Sequence, residues 1–252
     1  MHYIPVLITR PLQQAQKLCQ QIQSLGIDAI SFPTIEIVAP ENISAAAKKI
    51  QQLTQYDLVI FISPNAVQKS IAWLQSYINH WPKQVRVAAI GEGTAKTLRS
   101  LHIPVDIVPH EFNGEGLLKL AEMQDVEGKK ILLVRGAGGR RLLAATLRER
   151  GANVSSAIVY KRVLPKIAAD FFSSIQHVKI IVCTSNEALQ NLYKMVGEQH
   201  RVWLREQLLL VASARVAALA LKLGFKKPPV VADSPTDDDI LRALMTYCPP
   251  RQ

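Results

Sequence analysis

Short apolar runs rich in β-branched residues alternate along this chain with longer amphipathic stretches. This alternation is typical of βα units arranged around a largely parallel sheet. Helices are therefore predicted in most of the intervals between the apolar runs. The predicted strands are residues 5–9, 28–32, 57–62, 86–90, 105–108, 130–134, 154–160, 179–183, 208–212 and 229–232.

The two halves of the chain resemble each other. Residues 6–10 (VLITR) match residues 131–135 (ILLVR), and Gly26 matches Gly151, so that each pair is separated by 125 positions. Strand-turn-helix units share composition, and any two of them align loosely. The test is therefore whether the spacing holds further along the chain.

The spacing holds with one small change. Ser63 matches Ser185, and the helical segment ending at Leu101 matches the one ending at Leu223, both separated by 122 positions. Near-constant spacing over three consecutive units favours a true repeat. We therefore predict an α/β fold of two similar Rossmann- or flavodoxin-like lobes with parallel sheets, and a ligand-binding cleft between them.

Composition indicates a globular chain, and the sequence also bears on the cellular compartment. Of 252 residues, 48% are apolar and 20% charged, which is sufficient for packed cores and unlike a disordered segment. Apolar runs of the roughly 18 residues that span a bilayer are absent from the sequence, and its start has no signal-peptide pattern. A cytoplasmic protein is expected. Cys19, Cys183 and Cys248 lack the spacing of a zinc site or a disulfide framework.

The net charge of +10 predicts an anionic partner, because a basic surface attracts anions. Lys and Arg are scattered, aromatic residues make up only 6% of the chain, and nucleic-acid-binding motifs are missing. A small polyanionic ligand is thus favoured over nucleic acid, and neither nucleic acid nor a membrane is expected as a partner.

Each predicted strand that precedes a helix ends in small, hydroxylated or basic residues. Helix N-termini offer unpaired N–H groups and partial positive charge, so these loops could together receive carboxylates or phosphates. Ser, Thr and Asn are also favoured as helix caps, and capping alone stays open for each of them. The clusters are Thr9-Arg10-Pro11, Ser63-Pro64-Asn65, Gly91-Glu92-Gly93-Thr94, Arg135-Gly136-Ala137-Gly138-Gly139-Arg140, Thr184-Ser185-Asn186 and Ser213-Ala214-Arg215.

Known cofactor and catalytic motifs do not fit. The glycines of residues 91–93 lack the third Gly of a dinucleotide fingerprint, with Lys96 in its place, and residues 136–141 lack the GK[ST] of a phosphate loop. Arg135, Arg140 and Arg141 are instead possible charge partners for an anion. The six His show no metal-binding spacing, and no nucleophile motif appears. An enzyme built from this sequence would act by binding and orienting a reactive substrate, without cofactor or metal.

Several motifs resemble those of uroporphyrinogen-III synthases. The most specific is residues 131–162, ILLVRGAGGRRLLAATLRERGANVSSAIVYKR, which follows the family pattern of RGxGGR, then RGA, then a Tyr. ISPNAV, GEGTAKTL, CTSNEALQNL and VASARVAALALKLGF follow in the family's order. Ile62 stands where a Thr is frequent, and Ala214 where Pro or Glu is common. The resemblance covers roughly residues 5–245.

The resemblance implies a particular exchange of chain between the lobes. The first βα unit would join the last units of the chain, and the chain would cross between lobes as a two-stranded linker. Lobe 1 would comprise residues 1–36 plus 166–252, and lobe 2 residues 37–165, with linker strands near 33–38 and 159–165.

The resemblance also implies an activity. The family's substrate is hydroxymethylbilane, a linear tetrapyrrole with eight carboxylates. The enzyme is a hydro-lyase of haem biosynthesis that eliminates the substrate's hydroxyl and inverts ring D through a spiro intermediate, giving uroporphyrinogen III. Tyr160 matches the family tyrosine and is the candidate to assist hydroxyl departure, with aromatic packing as its alternative role.

The remaining candidate residues are carried over by motif position as substrate-binding groups. A non-catalytic binding protein is the alternative from another functional class. A monomer is expected, and whether the substrate arrives by transient contact with the preceding pathway enzyme stays open. The substrate-binding candidates are Arg10, Ser63, Asn65, Thr94, Arg135, Gly136, Ser185, Asn186, Ser213 and Arg215.

Overall fold

A computed structural model describes residues 5–78, 80–139, 141–168 and 170–248, and the chain folds into two compact units. Unit 1 contains the residues up to Glu36 and those from Val163 onward, whereas unit 2 is the continuous stretch Ile37–Arg162. The ranges expected from the family resemblance place the second boundary after residue 165, three residues later.

Strands and helices alternate along the described residues. The strands are β1 (Val6–Ile8), β2 (Ala29–Ser31), β3 (Glu36–Val38), β4 (Leu58–Phe61), β5 (Arg86–Ala89), β6 (Lys130–Gly136), β7 (Asn153–Val163), β8 (Ile180–Cys183), β9 (Leu208–Val211) and β10 (Val230–Val231). The α-helices are α1 (Leu12–Ser24), α2 (Ile43–Gln51), α3 (Pro64–Leu74), α4 (Glu92–Arg99), α5 (Gly114–Lys119), α6 (Leu142–Glu149), α7 (Phe171–Ser174), α8 (Asn186–Met195), α9 (Arg201–Arg205), α10 (Ala214–Lys222) and α11 (Asp237–Met245). Short 3-10 turns lie at Leu53–Gln55, Ala121–Met123 and Glu198–His200.

Each unit holds a five-stranded sheet within the described residues. The strand order is β10-β9-β8-β1-β2 in unit 1 and β3-β7-β6-β4-β5 in unit 2. In unit 1 the neighbouring strands are all parallel, and in unit 2 the strands from β7 to β5 are parallel. Unit 1 therefore has the order 2-1-3-4-5 of a flavodoxin-like sheet. Two lobes built on parallel sheets were predicted from the sequence, and this part of the prediction is confirmed.

The strand registers follow the sequence repeat. Positions separated by 125 residues in the first two strands of the repeat, and by 122 in the next two, occupy the same place in the two sheets. As a result, β1, β2, β8 and β9 of unit 1 correspond to β6, β7, β4 and β5 of unit 2. The equivalent pairs are Val6/Ala29 with Ile131/Val154, Val6/Ile180 with Ile131/Leu58, and Ile180/Leu208 with Leu58/Arg86.

The prediction of a strand at residues 105–108 is wrong. In the structure this segment forms an isolated bridge, in which Ile107 pairs with Ala88 of β5. The Asp106 carboxylate accepts a 2.6 Å hydrogen bond from the backbone N–H of Val87. Because a side chain occupies that N–H, the backbone hydrogen bonds between this segment and β5 are confined to those that join Asp106 and Ile107 to Val87 and Ala89. The strand β3 is absent from the strands predicted from the apolar pattern, but it lies within the segment near residues 33–38 where the family resemblance implies a linker strand.

The helices pack apolar faces on the sheets. In α1 the buried side chains are Ala15, Leu18, Cys19 and Ile22, whose spacing of three and four residues places them on one face of a helix. In unit 2 buried side chains form two clusters, one containing Val59 and Phe61 and the other containing Ile60 and Ile131. Among the described helices, none combines the length and apolar character needed to cross a bilayer.

Candidate active site

The carboxyl edge of the sheet in unit 2 gathers several of the predicted site residues. Because β4, β6 and β7 are parallel neighbours, the residues that follow or end them meet at one edge. Ser63 follows β4, Arg135 and Gly136 end β6, and Tyr160 lies near the end of β7. The Tyr160 side chain is 3% exposed, and its hydroxyl lies 3.1 Å from Ser63 Oγ. Two candidates 97 residues apart are thus in direct contact.

Ser63 has a second contact that explains its position. Its Oγ accepts a 3.2 Å hydrogen bond from the backbone N–H of Ala66 and so caps α3, with Pro64 at the first helical position. Ser63 therefore has the helix-capping role that the sequence left open for it. The contact with Tyr160 comes in addition, because a hydroxyl oxygen can accept two hydrogen bonds and donate one.

Tyr160 is packed as well as hydrogen-bonded. It belongs to the buried cluster that contains Val134 and Val159, so its ring also fulfils the packing role considered from the sequence. Its backbone carbonyl accepts a 2.7 Å hydrogen bond from the N–H of Ala137. The side chain is therefore fixed at both ends, with the apolar ring in the core and the hydroxyl at the polar edge of the sheet.

Arg162 is a member of this group that sequence reasoning missed. Its Nη2 donates a 3.4 Å hydrogen bond to the Tyr160 hydroxyl, and its guanidinium carbon lies 5.6 Å from the centre of the Tyr160 ring. A signal was available in the sequence. Residues two apart on a strand point to the same face, so the YKR sequence at 160–162 places Arg162 beside Tyr160.

Arg135 folds back on its own loop. Its Nε donates to the Gly136 carbonyl at 3.3 Å, and its Nη2 donates to the carbonyl of Gly138. The side chain is half-buried, and Arg141, at the start of α6, is exposed. Arg140, the third cation proposed for this loop, lies outside the described residues. In this loop the structure therefore fixes the Arg135 guanidinium by contacts to the loop's own carbonyls, and its role as a charge partner for an anion stays a prediction.

Asn65 and Thr94 occupy first turns of helices on the same edge. Asn65 is half-buried in α3, directly after Ser63 and Pro64. Thr94 is 2% exposed in α4, so its side chain is buried and is not presented at the surface.

Unit 1 holds the remaining candidates at the carboxyl edge of its own sheet. Ser185 Oγ accepts a 3.1 Å hydrogen bond from the Ala188 N–H and caps α8, as Ser63 caps α3. The adjacent Asn186 has a buried Oδ1 without a hydrogen-bond partner among the described residues. Ser213 is half-buried at the N-cap of α10, and Arg215 is exposed in the first turn.

Arg10 is engaged within unit 1. It is 6% exposed, its Nη1 forms an ion pair with Asp237 at the start of α11, and its Nη2 donates to the Pro235 carbonyl. Lys17 lies 3.3 Å from the other Asp237 oxygen. The guanidinium that the sequence suggested for substrate binding therefore joins β1 to α11, and its substrate contact stays a prediction.

The chemistry available at these edges is that of hydroxyl, amide and guanidinium groups. Among the described residues, no group of three or more His, Cys, Asp or Glu side chains converges in a way that could hold a metal ion. Burial raises the pKa of the Cys183 thiol to about 11, so this thiol is protonated near neutral pH and is a poor nucleophile. The arrangement is that of a two-unit α/β protein in which unit 2 positions one buried phenol at the carboxyl edge of its sheet.

Sequence relatives agree on one class of protein. A family model described as uroporphyrinogen-III synthase HemD matches residues 16–242. The chain is 38% identical to a uroporphyrinogen-III synthase of Salmonella typhimurium, an alignment that covers 95% of this chain and 99% of that one. It is 34% identical to the uroporphyrinogen-III synthase of Escherichia coli over 95% of this chain and 99% of the relative.

Solved structures show the same fold at lower identity. A mutant uroporphyrinogen III synthase of Thermus thermophilus superimposes with a TM-score of 0.65 at 18% identity, covering 96% of this chain and 99% of the other. The enzyme of Helicobacter pylori gives a TM-score of 0.62 at 17% identity, covering 98% and 100%. The chain therefore belongs to the uroporphyrinogen-III synthase family of enzymes, as the resemblance in its motifs predicted.

Proposed function

We propose that this chain converts hydroxymethylbilane into uroporphyrinogen III, with loss of water and inversion of ring D, and that Tyr160 assists departure of the hydroxyl group. The observation that carries the proposal is the placement of the Tyr160 hydroxyl. This hydroxyl ends a side chain that is 3% exposed, it lies at the carboxyl edge of a parallel sheet, and Ser63 Oγ is 3.1 Å away. Ligands of α/β proteins bind at such edges.

A phenol suits the first step of the reaction. The C–O bond to the leaving hydroxyl breaks, and the leaving oxygen takes a proton and departs as water. The Tyr160 O–H can donate that proton, or donate a hydrogen bond to the leaving oxygen. The far pyrrole ring then attacks through its substituted carbon, and the spiro intermediate opens and closes again with that ring inverted.

Substrate binding would rest on charge and on helix N-termini. The chain carries a net charge of +10, which attracts an octacarboxylate. The helices α3 and α8 begin next to Ser63 and Ser185, and their first N–H groups point toward the carboxyl edges of the sheets. Since the substrate closes to the uninverted isomer when left alone, the protein's contribution is to hold it in the conformation that leads to the spiro route.

The test is the isomer formed. Hydroxymethylbilane is made in situ, the protein is added, and the products are oxidised to porphyrins and separated chromatographically into isomers I and III. Isomer III well above the level of the protein-free control is expected. Formation of isomer I alone, together with measurable binding of the tetrapyrrole, would overturn the proposal in favour of a binding protein without turnover.

Tyr160→Phe tests the assigned role. We expect kcat to fall by about 10²-fold, the lower end of what a positioned general acid contributes, with KM nearly unchanged. Tyr247→Phe is the matched control, because it makes the same chemical change at a side chain that is 49% exposed in unit 1. Equal rates for the two variants would remove Tyr160 from the mechanism while leaving the overall activity intact.

Two further properties stay predictions with simple checks. Light scattering should give a monomer of 28.0 kDa. Cell fractionation should place the protein in the cytoplasm.

A further inference from the structure

The pairing of β6 with β7 shifts at the site. From Lys130 to Arg135 each residue of β6 pairs in order with Asn153 to Ile158 of β7, and then Gly136 pairs with Tyr160 instead of Val159. This irregularity places Tyr160 opposite the glycine. Irregularities of this kind change the direction of a side chain near functional sites.

Gly136 leaves the space that the Tyr160 ring occupies. A Cβ atom added to Gly136 would lie 2.5 Å from Cε2 and Cζ of that ring, well inside van der Waals contact. The ring cannot move aside easily, because it is 3% exposed and packed in the cluster that contains Val134 and Val159. Any larger residue at position 136 must therefore displace the ring and, with it, the hydroxyl.

Arg162 sets the direction of the hydroxyl proton. A guanidinium group can donate hydrogen bonds but cannot accept them, so the Tyr160 oxygen is the acceptor in the 3.4 Å contact. The phenol hydrogen must then point elsewhere, either to Ser63 Oγ or to an atom of a bound ligand. Ser63 Oγ accepts from the Ala66 N–H at one of its two acceptor sites, so it can hold the phenol hydrogen at the other until a ligand atom takes its place.

We propose that Gly136 and Arg162 are positioning residues for the Tyr160 hydroxyl, Gly136 fixing the ring and Arg162 directing the proton toward the substrate. This inference rests on the proposed function of Tyr160 as the proton donor. When the Tyr160 O–H bond breaks, the proton goes to the leaving hydroxyl and the phenol oxygen becomes negative. The Arg162 cation stabilises that charge until the proton released on ring closure restores the phenol.

Gly136→Ala should lower kcat by about 10²-fold, since a displacement of about 1 Å at a reacting group has an effect of that size. KM should change less than about twofold if the change acts through Tyr160 and not through substrate contact. Gly114→Ala in α5 is the matched control, because its Cβ would lie 3.8 Å from Leu143, an ordinary contact.

Arg162→Met should lower kcat by about tenfold, the effect of losing one charge-assisted hydrogen bond, and Arg162→Lys should restore part of the rate. Arg162 is exposed, so these variants are expected to fold even where Gly136→Ala does not. Arg148→Met controls for removal of a cation from unit 2, because Arg148 bonds the Val154 carbonyl near the opposite, amino-terminal edge of the strands.

Double variants that contain Tyr160→Phe test whether Gly136 and Arg162 act through the Tyr160 hydroxyl. In that background there is no hydroxyl to place, so Gly136→Ala and Arg162→Met should each reduce kcat by less than about twofold further. Full additive losses in the Tyr160→Phe background, or a raised KM with unchanged kcat, would overturn the positioning roles. Wild-type rates for Tyr160→Phe itself would instead overturn the proposed role of Tyr160 as proton donor, on which the positioning roles rest. A slow Tyr160→Phe beside normal Gly136→Ala and Arg162→Met removes only the positioning roles.

Discussion

The two units share strand order and register but differ in the side chains at their carboxyl edges. At the separation of 125 residues, Tyr160 of unit 2 corresponds to Ile35 of unit 1, and Gly136 corresponds to Pro11. Ile35 is 6% exposed and adds an apolar side chain where unit 2 has a phenol. The repeat therefore reproduces the scaffold, while the group suited to proton transfer lies on one copy.

The residues that the two units share are those that begin or end helices and turns. Ser63 and Ser185 cap equivalent helices at 3.2 and 3.1 Å, and Gly26 and Gly151 both have positive φ at equivalent turns. These positions are needed to terminate or begin elements wherever the βα unit occurs. The comparison teaches that matching residues in the repeat indicate folding requirements, and that differences between the copies point to chemistry.

The largest stability difference should come from the ion pair that unit 1 holds at its edge. Asp237→Ala leaves the Arg10 guanidinium, 6% exposed, without its carboxylate. We expect the free energy of unfolding in urea to fall by about 3 kcal/mol, because an unpaired buried charge is strongly destabilising. Lys17→Ala removes the exposed partner of the same carboxylate and should cost no more than about 0.5 kcal/mol. Equal losses for the two variants would show that Arg10 does not depend on Asp237.

Cys183 provides a pH-dependent difference, because unit 2 has Phe61 at the equivalent position. Burial raises the pKa of this thiol from 9.0 to about 11. Below pH 9 the thiol is protonated in both states and its contribution to stability is intact. Between pH 9 and 11 only the unfolded chain ionises, so stability should fall by about 2–3 kcal/mol in total. Urea titrations at pH 8, 9, 10 and 11 should show this loss in the wild type beyond that of Cys183→Ala; parallel curves for the two proteins would contradict it.

The two capping serines should be equivalent in stability and different in turnover. Ser63→Ala and Ser185→Ala should each lower the free energy of unfolding by about 1 kcal/mol, the usual effect of losing an N-cap. Ser63→Ala also removes the hydrogen-bond partner of Tyr160, and kcat should fall about fivefold for a lost bond of that strength. Unchanged kcat in Ser63→Ala would mean that Ser63 acts only as a cap.

The smallest effect concerns the turn that follows α4 and α10. His102 has φ 54° where its repeat partner, Gly224, has φ 86°. The turns are otherwise alike, with the Ile103 and Phe225 N–H groups bonded to the Leu98 and Ala220 carbonyls at 3.1 and 3.2 Å. His102→Gly should stabilise the protein by about 0.5–1 kcal/mol, and Gly224→Ala should destabilise it by about 1 kcal/mol or more. Thermal unfolding of both variants is the measurement, and a lower Tm for His102→Gly would contradict the argument.

Much of the scaffold could be predicted because the internal repeat is visible in the spacing of apolar residues along the sequence. The separations of 125 and 122 residues found in the sequence are the separations at which strands of the two sheets occupy equivalent places. The segment at 105–108 failed because its interruption depends on one carboxylate, that of Asp106, bonding a neighbouring strand. Strand propensity depends only on the residues within a segment, so it gives no information about a contact with another strand.

The site could be predicted as a set of loops but not as a set of contacts. Residues after parallel strands share an edge, which predicts that the loops at Ser63 and Arg135 lie together, whereas Tyr160 is a candidate only through the family resemblance. The contact between Ser63 and Tyr160 depends on strand order and on the shift at Gly136, neither of which a periodic pattern contains. The pairing of Arg10 with Asp237 joins residues 227 positions apart, and an acidic run at a helix start gave no reason to select it.

The interrupted chain of unit 1 has a consequence for biosynthesis. β1 lies inside its sheet between β2 and β8, and its Val6 pairs with Ile180 of β8, a residue made much later. At about 5–20 residues per second, a ribosome needs roughly 10–30 s to reach that partner. Unit 2, being continuous, can fold during this interval. Until then the apolar Val6–Ile8 segment lacks its neighbour on the β8 side, and such an unpaired strand edge is a site for wrong pairing with other chains.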